Sequence, residues 1–249
     1  MIQNPWGSNA MPRTNRILII VTNVGEYEKV GFRTGLWLSE LTHFWDVAEA
    51  AGYGMDIASP SGGYVPIDPE SLMLQEIGHL AGMDGKVHKH YEDRRFMDRL
   101  VDTMSVADAD PSAYDAIYMT GGHGVCFDFP SSEALAKLTA RFYESGKIVS
   151  AVCHGPAGLL EVKLSGGEFL VGGKDLTGFS WKEEELAKRE EAVPYSLEEE
   201  LKKRHAKYSK SSLPFKSYVV EDGLLITGQN PASAAAVAEA VVTKLQGAE

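Results

Sequence analysis

Short apolar runs, each cut off by glycine or polar residues, recur along the chain with room for a helix between them. They are Arg16 to Asn23, Gly54 to Ser59, Asp115 to Met119 after Tyr114, and Ile148 to Val152. Nearly continuous apolar runs of this length read as strands buried on both faces, as in a parallel sheet. Between the first two, Leu36 to Ala51 carries Trp37, Leu41, Phe44, Trp45 and Ala48 at helical spacing, with Gly52 as a stop. Between the last two, Pro130-Ser131-Ser132 opens a helix with Leu135, Leu138 and Phe142 on one face, closed by Gly146. This β-α-β-α succession predicts an α/β fold, a mostly parallel central sheet flanked by helices on both faces, with sites collecting at the carboxyl ends of the strands.

The remaining segments decorate that core. Pro60 to Met83 is rich in Gly and Pro and reads as loop, and Lys86 to Arg99 reads as a solvated helix. Lys182 to Lys210 is charged and helical in composition, with a fresh start at Pro194 and Ser196, which suits a solvated, lid-like or interface segment. Ser217 to Val220, the Asp222-Gly223 turn and Leu224 to Thr227 form a hairpin signal, and Asn230-Pro231 opens an Ala-rich helix running to Leu245. With 249 residues, 44% hydrophobic and 24% charged, one globular domain over residues 16–249 is expected. The polar residues 1–15, with Pro5 and Pro12, read as a disordered extension, with a native start at Met11.

A formal net charge of −11 with no basic cluster disfavours nucleic acid and anionic membrane surfaces as partners. The apolar runs fall far short of the roughly 20 residues a membrane-spanning helix needs. Only two cysteines, Cys126 and Cys153, are present, so a disulfide framework is excluded and a reducing, cytoplasmic setting is expected.

Cys153 stands where a buried strand turns directly into a helix. Ala151 and Gly155, two residues to either side, permit the tight turn that lifts a nucleophile out of a sheet. Pro156 suits the first helical turn, so the sulfur is expected beside free backbone N–H groups and a helix N-terminus, which lowers a thiol pKa. His154 comes directly after it and can act as the base; Glu183, Glu184 or Glu185 can orient its ring. The loop Gly121-Gly122-His123-Gly124 ends the preceding strand and offers N–H groups that, with that of His154, can form an oxyanion hole. It fits neither a dinucleotide fingerprint nor a P-loop. His88 and His90, in a charged run, read as solvated surface rather than as metal ligands, and Cys126 as a structural thiol.

Ala151-Val152-Cys153-His154-Gly155-Pro156 together with Gly121-Gly122-His123-Gly124 resembles the ThiJ/PfpI superfamily of class I glutamine amidotransferase-like folds, a flavodoxin-like sandwich. Thr34-Gly35 leading to Glu40, Gly173-Lys174 with Thr177-Gly178-Phe179, and Thr227 to Ser233 are similar to its glyoxalase III branch, heat-inducible chaperones with glutathione-independent glyoxalase activity. The resemblance spans roughly Arg16 to Leu245. It implies Glu40 as an acid beside the nucleophile's sulfur, Glu184 as the best match for the third member of a Cys-His-Glu arrangement, with Glu183 still open, and a homodimer. The zinc ligands of one branch do not map, because Ala48 and Tyr53 stand where they would be expected. No metal or other cofactor is expected.

The activity so implied converts a 2-oxoaldehyde such as methylglyoxal to a 2-hydroxy acid such as D-lactate, without glutathione. Cys153 is the nucleophile, Gly122 and His154 supply the oxyanion N–H groups, Glu40 or His154 moves the proton, and Gly121 and His123 line the pocket. Two other readings stay open: a stress-induced holdase that binds unfolded or glycated protein, and a cysteine-dependent amidase or peptidase. Glutamine amidotransfer is disfavoured, because no downstream His-x-Glu pair is present.

Overall fold

The computed structural model describes residues 14–80 and 85–247, and the side chains of all of these except 75–80. In chain order the elements are β1 (Arg16–Ile20), α1 (Leu38–Ala50), β2 (Gly54–Ser59), α2 (Pro69–Leu80), α3 (Lys86–Glu92), α4 (Arg94–Met97), β3 (Met104–Ser105), β4 (Ala116–Met119), α5 (Val125–Asp128) and α6 (Glu133–Glu144). Then come β5 (Ile148–Val152), β6 (Asp175–Leu176), α7 (Trp181–Ala187), α8 (Leu197–Lys203), β7 (Lys207–Tyr208), β8 (Val219–Asp222), β9 (Leu225–Gly228) and α9 (Ala234–Gly247).

The apolar runs form the sheet they predict. Its order is β3-β2-β1-β4-β5-β9-β8, and every pairing is parallel except the β8–β9 hairpin at one edge. β1, β4 and β5 are interior strands, which is why their sequences are apolar at consecutive positions rather than alternating. Alternate residues feed two cores. Ile17, Ile19 and Tyr118 pack with Leu41, Phe44 and Trp45 of α1 and with Val237 and Val241 of α9. Leu18, Ile20, Ile117 and Met119 pack with Leu135, Leu138 and Phe142 of α6 on the other face. α6 begins as expected: the Ser132 side chain accepts from the Leu135 N–H.

Four expectations need correction. Pro60 to Met83 is not all loop, because α2 occupies Pro69–Leu80; residues 81–83 lie outside the described residues. The helix starts where the Asp68 carboxylate accepts the Glu70 N–H (2.8 Å) and Pro69 takes the first helical position, a cap hidden among the surrounding Gly and Pro. Lys182 to Lys210 is not merely a solvated segment: Leu197 and Leu201 of α8 enter the core, and β6 pairs with β7 in a small parallel sheet. His90 is not solvated: its Nε2 lies 2.6 Å from Asp46 Oδ1, and its ring packs on Phe96. The extension expected over 1–15 ends earlier, since the Thr14 N–H donates to Asp115 and the Asn15 carbonyl accepts from Gly54; residues 1–13 and Met11 lie outside the described residues.

Candidate active site

The carboxyl ends of β4 and β5 meet at a strained turn. Cys153, the residue after β5, has φ 60°, a left-handed conformation that costs an L-residue on the order of 1–2 kcal/mol and concentrates at functional sites. The surroundings hold it there: its N–H donates to the Gly228 carbonyl (2.9 Å) and its carbonyl accepts from Phe179 (2.7 Å). Two glycines make the turn possible. A Cβ on Gly155 would lie 2.4 Å from the Met119 carbonyl oxygen, and one on Gly121 would lie 2.8 Å from the Cys153 Cβ, Glu40 Oε2 and the His154 nitrogen alike. The small residues flanking Cys153 and the glycine loop after β4 thus serve one close approach.

Glu40 comes to this point from α1, and its side chain is fully buried. Phe44, one turn on, stacks on Tyr118 of β4 at 3.7 Å between ring centroids, and the Tyr118 hydroxyl donates to the Glu40 carbonyl, so the helix is pinned above the strand end. The Gly121 N–H donates to Glu40 Oε2 (2.6 Å). The carboxyl also interacts with the Cys153 thiol, and Oε1 makes no hydrogen bond among the described residues. Burial pushes the Glu40 carboxyl up to about 8, against the smaller opposing effects of the Cys153 and Gly121 hydrogen bonds. At neutral pH Glu40 is therefore mostly protonated.

The thiol behaves differently from the sequence-based expectation. The segment after His154 is a single 3₁₀ stretch, Gly155–Leu159, not an α-helix, so no aligned macrodipole points at the sulfur. Burial pushes the Cys153 thiol well up, the nearby Glu40 carboxyl adds to this, and the Gly122 N–H opposes it only in part. The resting site holds a thiol that needs a proton acceptor rather than a standing thiolate.

His154 is that acceptor in reach. Its Nδ1 lies 3.4 Å from the sulfur, and its Nε2 lies 2.8 Å from Glu184 Oε2. Burial lowers the imidazole's pKa, against the opposing pull of Glu184, so the ring rests neutral. Burial alone would raise Glu184, but the imidazoles of His154 and His123 outweigh it and hold the carboxyl well below its usual range. Of the three glutamates the sequence leaves open, the fold brings Glu184 to the ring. Glu183 is also buried but turns the other way, accepting from Ser180, Gln229, Asn230 and the Phe215 N–H; Glu185 pairs with Lys182 at the surface.

These groups open on a cavity of about 530 Å³ whose walls include Trp37, Met73, Leu74, Phe179, Phe215 and Pro231, with Gly122, His123, Cys153 and His154 at its base. Phe179, 4.4 Å from the His154 ring, and Phe215 were not marked as pocket residues by any sequence signal; both sit in irregular segments. Cys126 is buried and its thiol is pushed up by that burial, consistent with a structural role. Among the described residues, His123, His154 and Glu184 are the group whose ligand atoms lie close enough to hold a metal ion. Their separations of 2.7 and 2.8 Å are those of N–H···O bonds, which already engage both carboxylate oxygens.

Similar proteins cover nearly the whole chain. The probable glutathione-independent glyoxalase hsp3103 of Schizosaccharomyces pombe is 33% identical over 94% of this chain and 99% of its own. The rapid encystment protein of 24 kDa from Francisella tularensis superposes with a TM-score of 0.84 at 35% identity, covering 92% of this chain and 98% of that one. Glyoxalase III of Candida albicans superposes with a TM-score of 0.81 at 29% identity, over 93% and 97% of the two chains. The sequence pattern of the DJ-1/PfpI family matches residues 32–244, and the chain belongs to that family.

Proposed function

We propose that this protein is a glutathione-independent glyoxalase that converts 2-oxoaldehydes such as methylglyoxal to 2-hydroxy acids such as D-lactate, with Cys153 in the place of glutathione's thiol. The reading is carried by one observation: the Cys153 sulfur has two proton carriers beside it, the largely protonated Glu40 and the neutral His154. Acyl transfer needs one base, whereas an internal redox shift also needs a proton taken from one carbon and given to the next. The relatives named as glutathione-independent glyoxalases point the same way.

The thiol proton passes to His154 Nδ1 as the sulfur attacks the aldehyde carbon, giving a hemithioacetal whose oxyanion is received by the N–H groups of Gly122 and His154. Glu184 stabilises the imidazolium so formed. His154 gives the thiol's proton to the oxyanion and is again a neutral base. Glu40 gives its proton to the C2 carbonyl oxygen as it or His154 takes the C1 proton, forming the enediol. The C1 proton is then delivered to C2 while the C1 hydroxyl gives up its proton to restore the carboxyl, which oxidises C1 to a thioester and reduces C2 to an alcohol. Water cleaves the thioester, releasing the 2-hydroxy acid and restoring the thiol. No external oxidant is consumed.

Purified protein incubated with methylglyoxal and no thiol additive is expected to form D-lactate, and Cys153→Ala to form none while keeping its melting temperature. Full turnover by Cys153→Ala would end the proposal. A holdase activity is favoured separately by the half-exposed Met73, Leu74 and Phe215 at the cavity mouth; suppression of client aggregation that survives Cys153→Ala would support it. A homodimer in the cytoplasm, with unfolded or glycated protein as a further partner, belongs to the same proposal and is checked by sedimentation, cell fractionation and turnover of glycated peptide.

A further inference from the structure

Glu184 carries a second hydrogen bond that the proposed reaction does not call for. His123 Nε2 lies 2.7 Å from Oε1, while His154 Nε2 lies 2.8 Å from Oε2. Both imidazoles are buried, with ring centroids 4.4 Å apart and planes tilted by 46°. An ionised carboxylate only accepts, so both Nε2 atoms carry protons, and in the neutral form of either ring Nδ1 is bare. For His154 this leaves a lone pair facing the Cys153 sulfur. For His123 it leaves a buried nitrogen without a hydrogen-bond partner. Such orphans are rare in folded proteins, and a ring retained for packing alone would be better replaced by an apolar one. Among the described residues, the bond to Glu184 is the one hydrogen bond the His123 side chain makes.

We propose that His123 is a positioning residue of the reacting group: by occupying Glu184 Oε1 it stops the carboxylate from rotating and so locks His154 in the tautomer whose Nδ1 can take the Cys153 proton. Without His123, Oε1 becomes a buried anionic oxygen with no donor, a state relieved by protonating Glu184 or by swinging it off His154. The other titratable groups whose charges reach this pair are Cys126 on α5, Tyr27 in the loop after β1, and Asp68 before α2. Glu183 beside it acts on His154. Of these neighbours, the two imidazoles are what hold Glu184 ionised against its burial.

The inference rests on Cys153 and His154 being the reacting pair, so its test does not depend on lactate formation. In the unaltered protein, ¹⁵N NMR of the ring nitrogens should show both His123 and His154 protonated at Nε2 and bare at Nδ1. Cys153 alkylation by iodoacetamide, followed across pH by mass spectrometry, should slow about 10–100-fold in His123→Leu, with its acid limb moved to higher pH because Glu184 protonation now enters the profile. His123→Gln, whose amide offers a donor at the place of Nε2, should recover most of the rate and return the limb toward its original position. An Nδ1–H tautomer at His123, an unmoved acid limb in His123→Leu, or a His123→Gln protein no faster than His123→Leu would each overturn the proposal. If His123→Leu does not fold by circular dichroism, the wild-type tautomers together with the rate and acid limb of His123→Gln decide it. Correct tautomers and profiles without any lactate formation would leave it standing while removing the glyoxalase reading.

Discussion

Cys153 and Glu40 share one difficulty, that neither charge is welcome where they meet, and the pH behaviour of the site is set by it. The folded-state pKa of Glu40, about 8, lies above the ordinary value of 4.5, so the fold favours the protonated carboxyl. The stability it contributes is complete below about pH 4.5 and is lost as pH rises through 8. Glu40→Gln, neutral throughout, should therefore gain in melting temperature over the unaltered protein between pH 6 and pH 9; a gap that does not widen with pH would contradict the assignment. The same change removes the charge that opposes thiolate formation, so Cys153 alkylation should begin at lower pH in Glu40→Gln. Turnover should nevertheless fall by about 100-fold or more, because the proton carrier is gone. A more reactive thiol in a less active enzyme separates nucleophile activation from proton transfer.

Among the elements, α7 does two jobs with adjacent residues. Glu184 faces the site, whereas Glu183 closes a capping box with Ser180 and clasps the strands' far loops through Gln229, Asn230 and Phe215. Phe215 is itself held at φ 59°, a left-handed conformation, with its N–H 2.7 Å from Glu183 Oε1, and its ring forms part of the cavity wall. Glu183→Ala should cost on the order of 3–5 kcal/mol in denaturant unfolding, because several buried donors lose their acceptor at once, each at about 1–3 kcal/mol. Glu185→Ala, at the surface, should stay within about 0.5 kcal/mol. Equal effects would mean that the clasp carries no weight. α2 is held more locally: Asp68 caps it and bonds Thr34. Asp68→Ala should loosen the wall formed by Met73 and Leu74, raising KM more than it lowers kcat.

Across the whole molecule, the net charge of −11 and the cavity chemistry select against anionic substrates. Glu70 is at the cavity and its ion pair with Arg189 is already made, while no lysine or arginine is among the described lining residues. An oxoaldehyde carrying a carboxylate should show a KM well above that of methylglyoxal at low ionic strength, and salt should narrow the gap by screening. A salt-independent ratio would argue for a cation at the site. The sheet and its layering were legible in the sequence because they depend on local quantities: runs of consecutive apolar residues mark interior strands, and Ala151, Gly155 and Pro156 around Cys153 mark a tight turn. Glu40 was reached only through the resemblance, since the groups it meets in the site, Gly121 and Cys153, lie 81 or more positions away. The direction of the thiol's pKa, the choice of Glu184 over its two neighbours and the second bond from His123 were decided by tertiary structure alone. Each depends on burial and on which groups meet across separations such as the 61 residues between His123 and Glu184. Desolvation and approach over such distances leave no periodic trace in the chain.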